Sequence, residues 1–384
     1  MDIFHTQENK RNQMKILHII DDLSMGGGQN LLIGLAGIQQ KMGHDVTVLA
    51  LEPCTDILVR KKIEAEGVRV DVLTERISLY NPLQIFLLMP WLRKCDIAHV
   101  HLFPALYWVG FAKMFSFANT PLVYTEHSTK NRRRENPLLR RIDAFVYKHL
   151  YRKVIACADK ALETFQQVYP SVKQVCAINN GVDTAKYWEA EPYSKQELLG
   201  IPEDCFVVTM VARFMFMKRQ DTIVEAISRL PEIFHACFVG SEPSDAGLLK
   251  VKKQAEKLGV SDRVHFLYLR SDVPSILKTS DVVMMSSEYE GLSLSSIEGM
   301  ASGKPFVATD VNGLREVVKD AGVLFELYNS EQLATILMRL ESDKEYYEMI
   351  VSQCRNRASQ YDIQQMVDKY LKVYISILNK SERS

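Results

Sequence analysis

The stretch MKILHIIDDLSMGGGQNLLIGLAGIQQKMGHDVTVLAL, residues 14–51, decides how the rest of the chain is read. It opens with a short β-rich run (14–20) and passes through a glycine loop. Apolar residues at helical spacing follow, and a second apolar run (45–51) closes it. Strand, loop, helix and strand in that order argue for a parallel sheet, because the return helix covers a face of the sheet. The rhythm continues through strand candidates at 68–73, 96–102, 121–127, 153–158 and 174–178. Residues 179–204 interrupt it with turn formers and prolines and read as an inter-domain linker. A second series follows at 205–212, 235–240, 263–269, 281–287, 305–310 and 321–326, and from Glu331 onward the pattern is helical. The expected fold class is α/β, with two Rossmann-like, doubly wound parallel-sheet domains facing a central cleft. Ligands bind at the carboxyl ends of the strands in such sheets. The expected divisions are a flexible extension at 1–13, one domain at 14–188, a second at 189–362, and a C-terminal helix at 363–384.

Bulk properties narrow the class. At 384 residues the chain is too long for one ordinary core. Hydrophobic and charged contents of 47% and 24% are those of a globular protein, which argues against dominant disorder. A formal net charge of zero removes any global argument for a nucleic-acid partner. Seven scattered cysteines with no Cys-x-x-Cys favour a reduced cytosol over a disulfide framework or zinc knuckle. The apolar run at 85–92 falls far short of the roughly 20 residues that span a bilayer. The polar N-terminus has no signal-peptide apolar region. A cytoplasmic protein is expected, soluble or peripheral at the inner face of the cell membrane.

Several places carry candidate chemistry. The loop DDLSMGGGQN brings backbone close to a ligand at a helix start, or is simply a tight turn. It lacks the third glycine of the dinucleotide fingerprint, and no P-loop occurs anywhere. Past the strand at 205–212, Arg213 and Lys218 suit a diphosphate, Arg as a fork and Lys as a point charge; a solvated loop is the other reading. In SSEYEGLSLSSIEGMASGKP, residues 286–305, Ser295 and Glu298 have capping-box spacing, so Glu298 reads as a helix cap. Equally, Glu290 and Glu298 are acceptors for sugar hydroxyls, and the N–H groups of 291–295 suit a phosphate. His127 ends a strand, and His99 and His101 alternate on another, structural or lining a cleft; no acid or cysteine sits at zinc-ligand spacing beside them. The basic run 130–153 reads as a solvated face, or as a patch for anionic lipid or phosphate. The aromatic stretch 103–117 before it reads as core.

Taken together, these features resemble the retaining GT-B glycosyltransferases of glycosyltransferase family 4 (group 1), of the type that builds bacterial surface glycans. The similarity runs from about Met14 to the C-terminal helix. It rests on the 26–50 stretch, DIAHVH, YTEH, NNGVDTAKY, Arg213-x4-Lys218 and, most specifically, Glu290-x7-Glu298 with its ASGKP tail. The resemblance implies a GT-B fold, an acceptor-binding N-terminal domain, a donor-binding C-terminal domain, and a last helix crossing back to the first domain. It implies a hexose-type transfer from a nucleoside-diphosphate donor, UDP-linked by default, to a saccharide or lipid-linked saccharide acceptor. Arg213 and Lys218 would neutralise the leaving diphosphate, Glu290 would take donor-sugar hydroxyls and Glu298 the ribose. Backbone near Gly291, Leu292, Ser293, Leu294 and Ser295 would hold sugar and phosphate. Gly26 and Gly27 would approach the donor, His127 would sit near the transferred sugar, and the base would lie near Tyr268 to Arg270. No metal or other cofactor is expected, in keeping with the lack of any Asp-x-Asp.

The sequence departs from the family pattern at Ala212, Ser293 and Asn312, where glycine (at 293, glycine or proline) is common, and in its triple glycine. A non-hydrolysing nucleotide-sugar epimerase shares the architecture, but Glu290-x7-Glu298 argues against it. A degenerate, non-catalytic subunit would not need Arg213, Lys218, Glu290 and Glu298 intact.

Overall fold

A computed structural model describes residues 13–24, 27–53, 57–127, 132–290 and 293–381. The proposed extension at 1–13 lies almost wholly outside them, as do Gly26, Gly291 and Leu292. The chain forms two compact units, Met1–Gly181 with Ile363–Ser384, and Val182–Asp362.

In the first unit the strands are β1 (Lys15–Ile20), β2 (Asp45–Ala50), β3 (Arg69–Val72), β4 (Ile97–His101), β5 (Leu122–Glu126), β6 (Lys153–Ala156) and β7 (Val175–Ala177). They form one parallel sheet in the order β3-β2-β1-β4-β5-β6-β7. Helices cover both faces, so β4 and β5 are buried at every position. The helix Ile363–Ser381 belongs to this unit. Its Tyr370 and Tyr374 are fully buried against the sheet, alongside Met366 and Val367.

The second unit holds β8 (Phe206–Val211), β9 (Phe234–Val239), β10 (Val264–Tyr268), β11 (Val282–Met285), β12 (Phe306–Thr309) and β13 (Val323–Phe325), again all parallel, in the order β10-β9-β8-β11-β12-β13. In both sheets the order reverses beside the first strand of the unit, between β1 and β4 and between β8 and β11. At such a reversal the flanking loops diverge and leave a crevice at the carboxyl ends.

Residues 179–204 are not a loose linker. The units divide after Gly181 rather than after 188. Asp183 caps the short helix Thr184–Trp188 by accepting from the Lys186 N–H, and Ser194 caps Lys195–Leu199 in the same way. Both helices pack on the second unit: Tyr187 is buried in its core, and Lys195 pairs with Asp281 at 2.7 Å. The aromatic stretch 103–117 is also only partly core. Ala105, Leu106, Val109 and Ala112 are buried, whereas Phe115 and Phe117 are exposed.

Candidate functional site

In the second unit, the apolar strand β8 delivers the chain to the reversal point, where Arg213 emerges exposed. Phe214 turns back into the core against Phe238 and Phe266, and its N–H donates to Ser241 Oγ at 3.1 Å. A 3-10 turn, Phe216–Lys218, then leads through Arg219, which holds a left-handed φ of 53°, into the helix Gln220–Ser228. The neighbouring loop after β11 is tied to this turn. Ser286 Oγ lies within hydrogen-bond reach of the carbonyls of both Lys218 (2.8 Å) and Arg219 (2.9 Å), and the Glu288 N–H donates to the Met217 carbonyl at 2.8 Å.

This bracing carries Lys218 to Glu290, Nζ to Oε1 at 2.5 Å, with 18% and 14% of the two side chains exposed. Ser287 Oγ donates to the same carboxylate oxygen at 2.7 Å, and the Glu290 N–H donates to the Asn312 carbonyl at 3.2 Å. The side chain of Arg213 has no partner among the described residues; its carbonyl is held by Gln220 Nε2 at 3.0 Å. The reversal point thus offers a free guanidinium and an ammonium that shares its charge with one half-shielded carboxylate. Such a set can receive an anion, with the carboxylate left to accept hydroxyls.

Glu298 sits in the helix Leu294–Ala301, but not as its cap. The N-cap is Ser293, whose hydroxyl accepts from the Ser296 N–H; Leu294 and Ser295 are already helical. The expected Ser295–Glu298 capping box is therefore not formed, because Ser293 takes the capping position first. Glu298 instead lies beside the Tyr187 phenol. Burial pushes its carboxyl above the usual range, against the opposing effects of Tyr187 and Lys186. The same burial, with Glu298 beside it, pushes the Tyr187 phenol up.

Tyr268 and Arg270 lie at the far edge strand, with β9 between them and β8. A register shift between Phe266 and Tyr268 and a φ of 56° at Tyr268 turn the chain there, and the Tyr268 carbonyl accepts from the Gly240 N–H at 2.8 Å. Arg270 is not a free guanidinium: two of its nitrogens bind Asp272, whose other partner is the Tyr193 hydroxyl at 2.8 Å. The pairing holds Asp272 well below the usual carboxylate range, Arg270 being the main cause.

The first unit's reversal point is differently furnished. Asp21, directly after β1, is buried and accepts from the Ala105 N–H at 2.8 Å. Burial, reinforced by Asp22 and Glu52, pushes its carboxyl up to about 7. His18 and His99 stand side by side on β1 and β4, His101 ends β4, and half-buried His127 follows β5. Desolvation holds His18 and His127 at about 4 and drives His99 and His101 well below 6.5. His99 is structural, bonded to Tyr374 Oη at 2.6 Å and Thr125 Oγ1 at 2.7 Å. Of the basic run, Arg134 pairs with the buried Glu126 at 3.1 Å and Arg133 reaches the buried Asp143 at 3.5 Å; these two side chains are not part of a solvated face. Asp21, Tyr187 and Ser287 escaped the sequence reading, as did the capping role of Ser293. Only Asp21, next to a strand end in HIIDD, carried a local signal.

Residues 25–186 match the family model described as Glycosyltransferase Family 4, and residues 194–357 that of Glycosyl transferases group 1. An Escherichia coli UDP-Gal:alpha-D-GlcNAc-diphosphoundecaprenol alpha-1,3-galactosyltransferase is 31% identical over 228 residues, 56% of this chain and 58% of that protein. An N-acetyl-alpha-D-glucosaminyl L-malate synthase of Bacillus anthracis is 27% identical over 56% of this chain and 57% of its own length. The match therefore spans little more than half the length of these relatives. Among solved structures, Anabaena HepE in complex with UDP superposes with a TM-score of 0.81 at 23% identity, covering 94% of this chain and all of that one.

Proposed function

We propose, from the premise that the chain belongs to the glycosyltransferases of group 1 and family 4 and has the GT-B fold, that it moves a hexose-type sugar from a UDP-linked donor to a saccharide or lipid-linked saccharide during cell-surface polysaccharide or lipopolysaccharide synthesis. The observation that carries this reading is the Lys218–Glu290 pair with Arg213 beside the β8/β11 reversal. The UDP in the HepE structure and the diphosphoundecaprenol in the E. coli relative's name support the donor and acceptor classes.

When the sugar–phosphate bond breaks, negative charge develops on the diphosphate and positive charge on the sugar ring. Arg213 stabilises the first without giving up a partner, and Lys218 does so by exchanging Glu290 for the phosphate. As Lys218 turns to the phosphate, Glu290 is released to accept sugar hydroxyls while Ser287 keeps it in place. Glu298, beside Tyr187, accepts from the ribose. The acceptor attacks from the leaving-group side, the departing phosphate takes its proton, and the anomeric configuration is retained without a protein nucleophile. The chemistry needs no divalent metal, so excess chelator should leave the rate unchanged.

We place the reaction in the cytoplasm, at the inner face of the membrane. The helix Pro137–His149 exposes Leu138, Ile142 and Phe145 along one ridge with Arg140, Arg141 and Lys148 around it, and its acid, Asp143, is buried. That pattern suits an anionic lipid surface, and no helix among the described residues is long and apolar enough to cross a membrane. Sedimentation with vesicles containing anionic lipid, against neutral ones, tests this contact.

The function itself is tested by screening UDP-, GDP- and ADP-sugars for a rise in thermal stability, then assaying nucleoside diphosphate release with and without acceptor. A stabilising UDP-sugar whose turnover disappears in Lys218→Ala and Glu298→Ala is the expected result. No shift with any nucleotide sugar or diphosphate would overturn the assignment.

A further inference from the structure

The buried imidazoles of the first unit form a line with a direction. Gln39 Oε1 lies 2.7 Å from His18 Nε2, His18 Nδ1 lies 3.1 Å from His101 Nε2, and His101 Nδ1 lies 3.3 Å from His127 Nε2. An amide oxygen can only accept, so His18 donates from Nε2. A neutral ring protonated there has a bare Nδ1, so His101 must in turn donate from Nε2, and the same logic places the proton of His127 on Nε2. Neutrality is what burial enforces: His18 and His101 are almost wholly shielded from solvent, and desolvation keeps all three rings uncharged at pH 7.

We propose that Gln39, acting through His18 and His101, holds His127 in its Nε2–H tautomer and so presents its Nδ1 lone pair as a hydrogen-bond acceptor for a sugar hydroxyl at the carboxyl end of β5. This rests on the reading that His127 meets a sugar. Nδ1 has no partner among the described residues; Gly28 lies against the other part of the ring, where an added Cβ would stand 3.8 Å from Cδ2 and Cε1, the two carbons that flank Nε2. The polarity is set at the far end of the line. Were the amide nitrogen of Gln39 turned toward His18, every proton would shift to Nδ1, and His127 would present a donor. Gln39, His18 and His101 are thus positioning residues: they touch no substrate but choose which half of a hydrogen bond His127 offers. A hydroxyl that donates to Nδ1 gains acceptor strength at its own oxygen toward other donors in the site.

The same rings admit one competing occupant. His18, His99 and His101 each place one ring nitrogen within 4.8 Å of the others, close enough to share a metal ion. However, both nitrogens of each of these rings already have hydrogen-bond partners, which favours the proton line.

The test is long-range proton–nitrogen correlation spectroscopy on the full chain with 15N-labelled histidine, the His127 signals being assigned by their loss in His127→Gln. The expected result is Nε2–H on His18, His101 and His127, with neutral rings at pH 7. In Gln39→Met, which keeps the length but removes the acceptor, His127 should become a tautomer mixture and kcat/KM should fall roughly tenfold, the loss of about one hydrogen bond. A proton on Nδ1 of His127, an imidazolium, metal-shifted nitrogens, or an unchanged His127 tautomer in Gln39→Met would each overturn the proposal. Should Gln39→Met not fold, the wild-type spectrum alone decides the direction of the line. An intact line in a protein that turns over no nucleotide sugar would uphold the tautomer and overturn the functional reading instead.

Discussion

Past β8 and β11 the strand ends carry Arg213, Lys218 and Glu290, charged groups held by polar loops at the edge of solvent. Past β1, β4 and β5 the equivalent ends carry Asp21, His101 and His127, groups that burial discourages from charging. The two sheets share a topology, and on the proposed function the difference lies in what each reversal point recognises. A diphosphate needs fixed positive charge, whereas hydroxyl groups need neutral donors and acceptors whose direction is set in advance. In the second unit the charge is partly cancelled by Glu290 until a ligand competes for Lys218. In the first, desolvation keeps the rings neutral.

The largest way to break this comparison is to remove the charge. Lys218→Ala should slow turnover by the equivalent of about 3–4 kcal/mol of barrier, as expected for loss of one preorganised group at the leaving oxygen. A steady-state assay of nucleoside diphosphate release, with the thermal midpoint as a folding control, checks it.

Asp21 comes next, with an effect of similar size. Its folded carboxyl binds a proton up to about 7, whereas the unfolded one releases it near 3.8. The native state therefore holds more protons between these values, and stability from this group falls as pH rises through that window. Asp21→Asn removes the cost, so at pH 8 the variant should be more stable than wild type by up to about 4 kcal/mol, with the gap closing towards pH 4. Urea unfolding across pH 4–8 measures it.

The histidines act in the opposite sense. His18 and His127 are held at about 4 when folded, so the unfolded chain binds more protons between that value and 6.5. Stability from these two groups is present above pH 6.5 and is lost as pH falls. Between pH 7 and 5.5 the two together should cost about 2 kcal/mol. Unfolding of the Asp21→Asn protein removes the opposing carboxylate, and His99 and His101, also driven low, add to the same slope, so the measured loss should be at least this large.

The smallest effect sharpens the role of Glu298. Ser293→Ala should destabilise the second unit by about 1 kcal/mol, the usual worth of an N-cap, while Ser295→Ala should cost clearly less. A Ser295→Ala cost equal to that of Ser293→Ala would restore the capping box and return Glu298 to a purely structural role.

Much of this was legible in the sequence because strand ends are. The apolar run at 205–212 and the one at 281–287 locate their own carboxyl ends and so place Arg213, Lys218 and Glu290 there, but only the family resemblance favours a ligand over a solvated loop. Capping was misread because two serines compete within three residues, and only backbone geometry shows that Ser293 wins. The domain break was displaced because Asp183 and Ser194 each nucleate a helical turn inside a stretch rich in turn formers. Gln39, His18 and His101 were beyond reach for another reason: the partners are separated by 21 and 83 residues, and no local pattern encodes which rings a parallel sheet sets side by side.

The central claim, that the β8/β11 reversal holds the diphosphate of a nucleotide donor, is tested most directly by calorimetric titration of UDP into the wild-type chain and Lys218→Ala. The account predicts saturable binding to the wild type that weakens at least tenfold in Lys218→Ala, roughly one charge-assisted hydrogen bond. Equal affinity in the two proteins would contradict it.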